Sequence, residues 1–375
     1  MKIALNNKFI LLIFLLFLYG CSTPNTPIKQ QDILIDFGDK NINNISKKYK
    51  SMNQNTKFAI KFFGDSHIAT DDLASAFRNT LFKENSVGFG LPALPKYHLN
   101  KLLKYKINNF EMINSQFDAF NDYPLCGVIA KSSTNQANIK LMLDEKLNNK
   151  MIFEILYKSK QKGDVIEIKD TKNTSFKIQN SGNNRWQSKK FELIFPIQIT
   201  ALKKDVLIGS YKIYQKNGAK FADICGLNGA HMNLYQKWNN GAFFRDLNSI
   251  RYDIIVVAYG TNDSFNNNLN ENIFYKNTKQ LINLIKKSQP NTTILMLSPP
   301  TALKPKFKTV QKIIKKVAKE DRLLFYDIDL FMKLTGSKRN WIKQGLSKKD
   351  VHLTQKGYIQ IGKEIARELK KIMAR

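Results

Sequence analysis

With 375 residues, 43% of them hydrophobic and 11% aromatic, the chain holds apolar material for two or three cores, which excludes a disordered protein. Its net charge of +30, carried mostly by lysine, fits a lysine- and asparagine-rich composition or attraction to an anionic polymer or membrane surface. Nucleic acid is not expected as a partner, because no basic-aromatic recognition motif accompanies the charge.

The chain opens on a targeting segment. Lys2 and Lys8 give a positive start to an apolar stretch from Phe9 to Tyr19 that is too short to span a bilayer and has the length of a signal-peptide core. It ends Leu18-Tyr19-Gly20-Cys21, which resembles a bacterial lipobox with Cys21 as the lipid-bearing first mature residue. Tyr19 is a less usual occupant of its position, so ordinary signal cleavage stays open. Residues 1–20 are expected to be removed, and 21–30, with Pro24 and Pro27, to form a polar tether. The mature protein is then expected in the periplasm, held to a membrane by its lipid. Cys126 and Cys225 would remain. Two cysteines are no framework, and the expectation is two free, buried thiols, with a disulfide left open.

Residues 31–95 read as α/β. A strand over 57–63 leads into the turn Gly64-Asp65-Ser66-His67. A helix over 71–83 follows, with Leu73, Ala76, Phe77, Thr80 and Leu81 on one face. From about 96 to 217 the texture changes. Short strand-like runs at 139–143, 152–157, 165–168 and 191–195 alternate with Asn, Gly, Ser and Lys clusters, which argues an all-β sandwich interrupting the α/β domain. Trp186, Tyr157, Tyr211 and Tyr214 in this segment are types that stack on sugars, and more often types that fill a core.

From 218 to 375 the α/β texture returns. Strands are expected at 220–224, 253–259, 293–298 and 323–326. The helices expected here cover 271–288 (Ile273, Leu281, Leu284 and Ile285 inward), 306–320 and 355–373. Alternating strands and helices imply a parallel sheet covered on both faces, with the site at the strand C-termini.

Three polar islands sit where chemistry needs them. A serine hydroxyl needs a base to take its proton as it attacks. Ser66 lies just past a strand and at the start of a helix, whose backbone N–H groups favour negative charge; the bland reading is that Asp65-Ser66 merely cap that helix. His352 is the best base among the four histidines, because Asp350 two residues earlier can turn back on a loop and fix its tautomer. Asp350-His352 could instead be a surface pair, with Thr354 capping the last helix. His67 is expected to order its loop. His98 and His231 have no carboxylate within a few residues, and the histidines show no metal-ligand spacing. Asn262, in Gly260-Thr261-Asn262-Asp263 after a buried strand, can aim an amide donor into the same cleft, although such a turn is also common without function.

Taken in order, Gly64-Asp65-Ser66-His67, Gly260-Thr261-Asn262-Asp263 and Asp350-Val351-His352 resemble the blocks of the SGNH (GDSL-like) hydrolases. Gly226-Leu227-Asn228-Gly229-Ala230 fits their glycine block; Gly88 and Gly90 are alternatives without the Asn-Gly pairing. The resemblance implies a flavodoxin-like fold with Ser66 as nucleophile and Asp350-His352 completing the triad. The Ser66 N–H, Gly229 N–H and Asn262 amide would form an oxyanion hole. The β-rich insertion and the run from Trp341 to Thr354 are similar to peptidoglycan O-acetylesterases of the Campylobacter and Helicobacter type, with an inserted jelly-roll domain like a carbohydrate-binding module. That implies removal of acetyl from C6 of N-acetylmuramic acid in O-acetylated peptidoglycan through an acetyl-serine, with no metal or cofactor. An O-acetyltransferase, an acetylesterase of another polysaccharide and a non-catalytic wall-binding lipoprotein remain as rivals.

Overall fold

The computed structural model describes residues 32–374 except residues 84 and 148, so Cys21, the targeting segment and the tether lie outside the described residues. The strands begin with β1 (Leu34–Asp36) and β2 (Phe58–Gly64). A series follows through β3 (Gly88–Gly90), β4 (Leu103–Asn108), β5 (Phe110–Asn114), β6 (Val128–Ser132), β7 (Asn138–Leu143) and β8 (Lys150–Lys158). It continues with β9 (Lys162–Lys169), β10 (Ser175–Ser181), β11 (Gln187–Ile194), β12 (Ile197–Ala201) and β13 (Leu207–Tyr214). The last four are β14 (Lys220–Gly226), β15 (Ile254–Ala258), β16 (Thr293–Leu297) and β17 (Leu324–Tyr326).

One sheet has the order β1-β17-β16-β15-β2-β14, parallel throughout except for β1. Strands covered on both faces must be apolar on both, and every residue of β2 is buried. Ala59 and Phe63 face a core shared with helices Glu271–Ser288 and Phe307–Glu320. On the opposite face Phe62 meets Phe77 of helix Asp72–Leu81 edge to face at 5.1 Å. The final helix, Gln355–Ala374, packs along that same helix.

Within helix Glu271–Ser288 one expectation fails. Ile273 is 55% exposed, while the buried stripe is Phe274, Thr278, Leu281, Ile282 and Ile285. At about 100° per residue Ile273 falls off the face that Phe274 leads, and Leu284 is half-buried beside it.

Strands β4 to β13 build two antiparallel sheets, β10-β9-β12-β7-β4 and β11-β8-β13-β6-β5, with β3 added beside β13. Ile139, Ile166 and Ile199 of the first sheet pack with Phe153, Ile155 and Tyr211 of the second in one apolar core. Tyr157, Tyr211 and Trp186 are buried, and Tyr214 is half-buried against the core, so these aromatics fill space and do not form a sugar platform.

The insertion is fastened to the parallel sheet. Lys61 of β2 and Asp223 of β14 form a wholly buried ion pair 3.0 Å apart. Burial presses the lysine pKa down and the aspartate pKa up. Strand β3, which pairs with β13 of the insertion, completes this pair: Phe89 N–H donates to Asp223 Oδ2 at 2.9 Å, and the Lys61 ammonium lies 3.6 Å from the Phe89 ring centroid. The expectation of free thiols is corrected here. Cys126 and Cys225 are bonded as a disulfide, with Cα atoms 5.5 Å apart at a sequence separation of 99. Folding packs the loop before β6 against the end of β14, a proximity that no local pattern announces.

Candidate active site

Strand β2 delivers Ser66 to the C-terminal edge of the parallel sheet. Gly64 ends the strand where a Cβ would meet Ile68 Cγ1 at 2.4 Å and Ala258 O at 2.9 Å, so only glycine lets the chain turn there. Asp65 caps the short helix Ser66–Ala69 by accepting from His67 N–H at 3.0 Å. Burial, together with repulsion from Asp263, lifts the Asp65 carboxyl to about 7 against that hydrogen bond.

Asp350 and His352 lie on a tight loop closed by pairing of Ser347 with Leu353 and by Lys348 N–H donating to His352 O at 3.0 Å. Val351 and Leu353 turn inward and are buried, which directs the alternate side chains toward the site. Ser66 Oγ lies 3.1 Å from His352 Nε2, and His352 Nδ1 lies 3.0 Å from Asp350 Oδ2. The Asp350 Oδ1 atom also accepts from the His352 backbone N–H at 2.9 Å. Partial burial opposes ionisation of Asp350, but the hydrogen bonds from His352 outweigh it and hold the carboxyl below its usual range. With Nδ1–H given to a carboxylate, Nε2 presents a lone pair to the serine hydroxyl. Positions 286 apart in sequence thus form one relay.

His67 plays no part in that relay. It is buried, its Nδ1 shares a 2.8 Å hydrogen bond with Tyr358 Oη, and its ring centroid is 5.7 Å from that of His352. Burial, with the Lys338 ammonium and the His352 ring nearby, lowers it to about 3, so it stays neutral. Thr354 does cap the last helix, accepting from Gly357 N–H at 3.3 Å, without displacing Asp350 or His352 from the relay.

The glycine and asparagine blocks meet each other. Asn262 Nδ2 donates to Ala230 O at 2.9 Å, which fixes the amide beside Gly229, and Gly229 turns the chain at φ +76°. Among the described residues neither the Ser66 N–H nor the Gly229 N–H has a backbone acceptor. Gly88 and Gly90 instead lie in β3, paired with Ile213 and Tyr211.

Two contacts at the site carry no sequence signal. Gln116, from the loop after β5 in the insertion, donates through Nε2 to Gly229 O at 2.9 Å. His231 Nδ1 lies 3.5 Å from Asp263 Oδ1, so the fold supplies the carboxylate that its sequence neighbours lack. That hydrogen bond to Asp263 raises the His231 pKa despite partial burial.

The model of the GDSL-like Lipase/Acylhydrolase family matches residues 210–359, and that of the peptidoglycan O-acetylesterase N-terminal region matches residues 86–198. No curated protein matches the chain. A solved peptidoglycan O-acetylesterase is similar over 91% of this chain and 99% of its own, at 23% identity and a TM-score of 0.81, which speaks to a shared fold. A family two carbohydrate esterase from Cellvibrio japonicus aligns over 72% of this chain and 98% of its own at 10% identity. Its TM-score of 0.32 is too low to inform the fold.

Proposed function

We propose that this chain, which joins a GDSL-like acylhydrolase to a peptidoglycan O-acetylesterase N-terminal region, is a serine esterase that removes O-acetyl groups from peptidoglycan. The observation that carries the reading is the Ser66–His352–Asp350 relay at the end of a parallel sheet, in a chain whose insertion matches the peptidoglycan enzymes.

In this reading Ser66 Oγ attacks the acetyl carbonyl carbon while His352 Nε2 takes the hydroxyl proton. The carbonyl oxygen becomes an oxyanion held by the Ser66 N–H, the Gly229 N–H and the second Asn262 amide proton. Asp350 stabilises the imidazolium. The C–O bond to the sugar then breaks, His352 returns its proton to the departing C6 oxygen of N-acetylmuramic acid, and acetyl-Ser66 remains. Water, deprotonated by His352, attacks the acyl carbon and releases acetate and free serine.

The finer fold assignment belongs to the same proposal: a flavodoxin-like hydrolase over 31–95 and 218–375, interrupted by a jelly-roll, carbohydrate-binding-module-like domain over 96–217. Sheet order and the packed antiparallel sheets support it. A signal peptide over 1–20, a lipid on Cys21, a tether over 21–30 and a periplasmic location rest on the N-terminal sequence alone. Release of Cys21→Ser protein from the membrane fraction would support the anchor, and unchanged retention would remove it.

The deciding experiment measures acetate released from natural O-acetylated peptidoglycan by wild type and by Ser66→Ala. Release by the wild type alone is expected. Acetyl appearing on a glycan acceptor in place of free acetate would assign the same residues to transfer.

A further inference from the structure

Among the described residues three aromatic side chains are exposed: Tyr97 at 74%, Phe117 at 77% and Phe265 at 42%. Each stands on a loop tied to the oxyanion blocks. Phe117 follows Gln116, whose side chain holds Gly229 O. Tyr97 follows Lys96, whose carbonyl accepts from Asn228 Nδ2 at 3.1 Å. Phe265 donates its own N–H to Asn262 O at 3.2 Å. Since neighbouring Cα atoms are about 3.8 Å apart, three separate segments carry these exposed residues close to the oxyanion blocks.

Tyr97 adds a second, independent sign. It sits at φ +66°, a region in which a bulky residue is a real outlier. The residue after it is pinned, with His98 N–H donating to Pro95 O at 2.9 Å and His98 Nε2–H to Gly226 O at 3.1 Å. The turn closed by the His98 N–H holds Tyr97 at this φ and leaves its large ring in water, open to a partner. Ammonium groups brace two of the rings: Lys96 Nζ lies 5.0 Å from the Tyr97 centroid and Lys304 Nζ 4.2 Å from that of Phe265. Hydrogen-bonding side chains, Gln116 and Asn228, belong to the same anchoring contacts as the rings. Flat apolar faces bordered by hydrogen-bonding groups match pyranose rings, which have C–H faces and hydroxyl edges.

We propose that Tyr97, Phe117 and Phe265 form an aromatic rim that stacks on sugar rings of the glycan strand flanking the reacting sugar. The proposal rests on the esterase reading for the identity of that strand and deepens it by naming what holds the polymer.

The test compares wild type with Tyr97→Ala, Phe117→Ala, Phe265→Ala and the triple variant. Co-sedimentation with insoluble, de-O-acetylated peptidoglycan reads binding without chemistry. The ratio of kcat/KM on O-acetylated glycan fragments to kcat/KM on p-nitrophenyl acetate reads the rim against the acyl site. Glycan affinity and this ratio should each fall about tenfold in the triple variant. Equal glycan binding by wild type and variants, or none by wild type, overturns the rim. So does a parallel fall of both rates, which would assign the rings to folding, or loss of binding to phosphatidylglycerol vesicles in place of glycan. A wild type that binds glycan through these rings yet releases no acetate from O-acetylated peptidoglycan supports the rim and removes the esterase reading, so the two failures are distinguishable.

Discussion

Asp350 is 60% exposed at its side chain, yet it makes both a ring and a backbone hydrogen bond to His352. In the proposed reaction its task is orientation. Asp350→Asn keeps the shape but favours the wrong imidazole tautomer, so kcat on p-nitrophenyl acetate should fall by about 10³ to 10⁴. Asn262→Ala, measured on the same ester, should lower kcat by about 10² to 10³ while KM changes little, because the amide is needed most when the oxyanion forms.

His67 and Asp65 pull the acid response of the fold in opposite directions. His67 has a folded value of about 3 against an ordinary 6.5, so below pH 6.5 the unfolded chain binds the extra proton and stability drops on acidification. Asp65 rises to about 7 from 3.8, so between those values the folded chain holds the extra proton and acidification helps it. Replacing His67 by Gln removes only the first effect. Urea melts should therefore show His67→Gln gaining about 2 kcal/mol relative to wild type on going from pH 7 to pH 5. A difference independent of pH would mean that His67 protonates freely in the folded protein.

At the scale of elements, the insertion reaches the glycine block through the side chain of Gln116. Gln116 sits after β5, yet it holds the carbonyl of Gly229, the glycine assigned to the oxyanion hole. Losing one such hydrogen bond costs about 1 kcal/mol, so Gln116→Ala should lower kcat about fivefold with KM nearly unchanged. Gln116→Glu supplies the sharper comparison. Ionised, it faces a carbonyl oxygen without a donor; protonated, it regains one. Its kcat relative to wild type should recover as pH falls through the ordinary carboxyl range, and a flat ratio would remove the positioning role.

At the scale of the whole molecule, the two parts are not separable modules. Asp223 on the edge strand of the parallel sheet faces Lys61 across an ion pair and accepts at Oδ2 from Tyr252 Oη–H at 3.0 Å and from Phe89 N–H of β3, which pairs with β13 of the insertion. Breaking the pair from one side leaves a buried charge without its partner. Lys61→Met should destabilise the protein by about 3–5 kcal/mol, measured by denaturant unfolding, and joint replacement of Lys61 and Asp223 by apolar residues should recover much of that loss.

Local pattern alone determined a good deal. The run 57–63 read as a buried strand despite Lys61, because apolar neighbours on both faces outweigh one charge. The helices 271–288 and 355–373 followed from spacing and caps, and Ser66, Asn262, Asp350 and His352 stood out as polar residues at strand ends and turns, whereas Gly229 entered only through the family resemblance. What the chain could not display locally was pairing across long separations. The Cys126–Cys225 disulfide, the Lys61–Asp223 ion pair, the His231–Asp263 contact and the Gln116 bond to Gly229 each join residues tens to more than a hundred positions apart. Aromatics divided in the same way: Trp186 and Tyr157 went to the interior and Tyr97 and Phe117 to the surface, although composition treats them alike. Periodicity records which face of an element is apolar, whereas which face meets which partner is decided only when the sheets close around a common core.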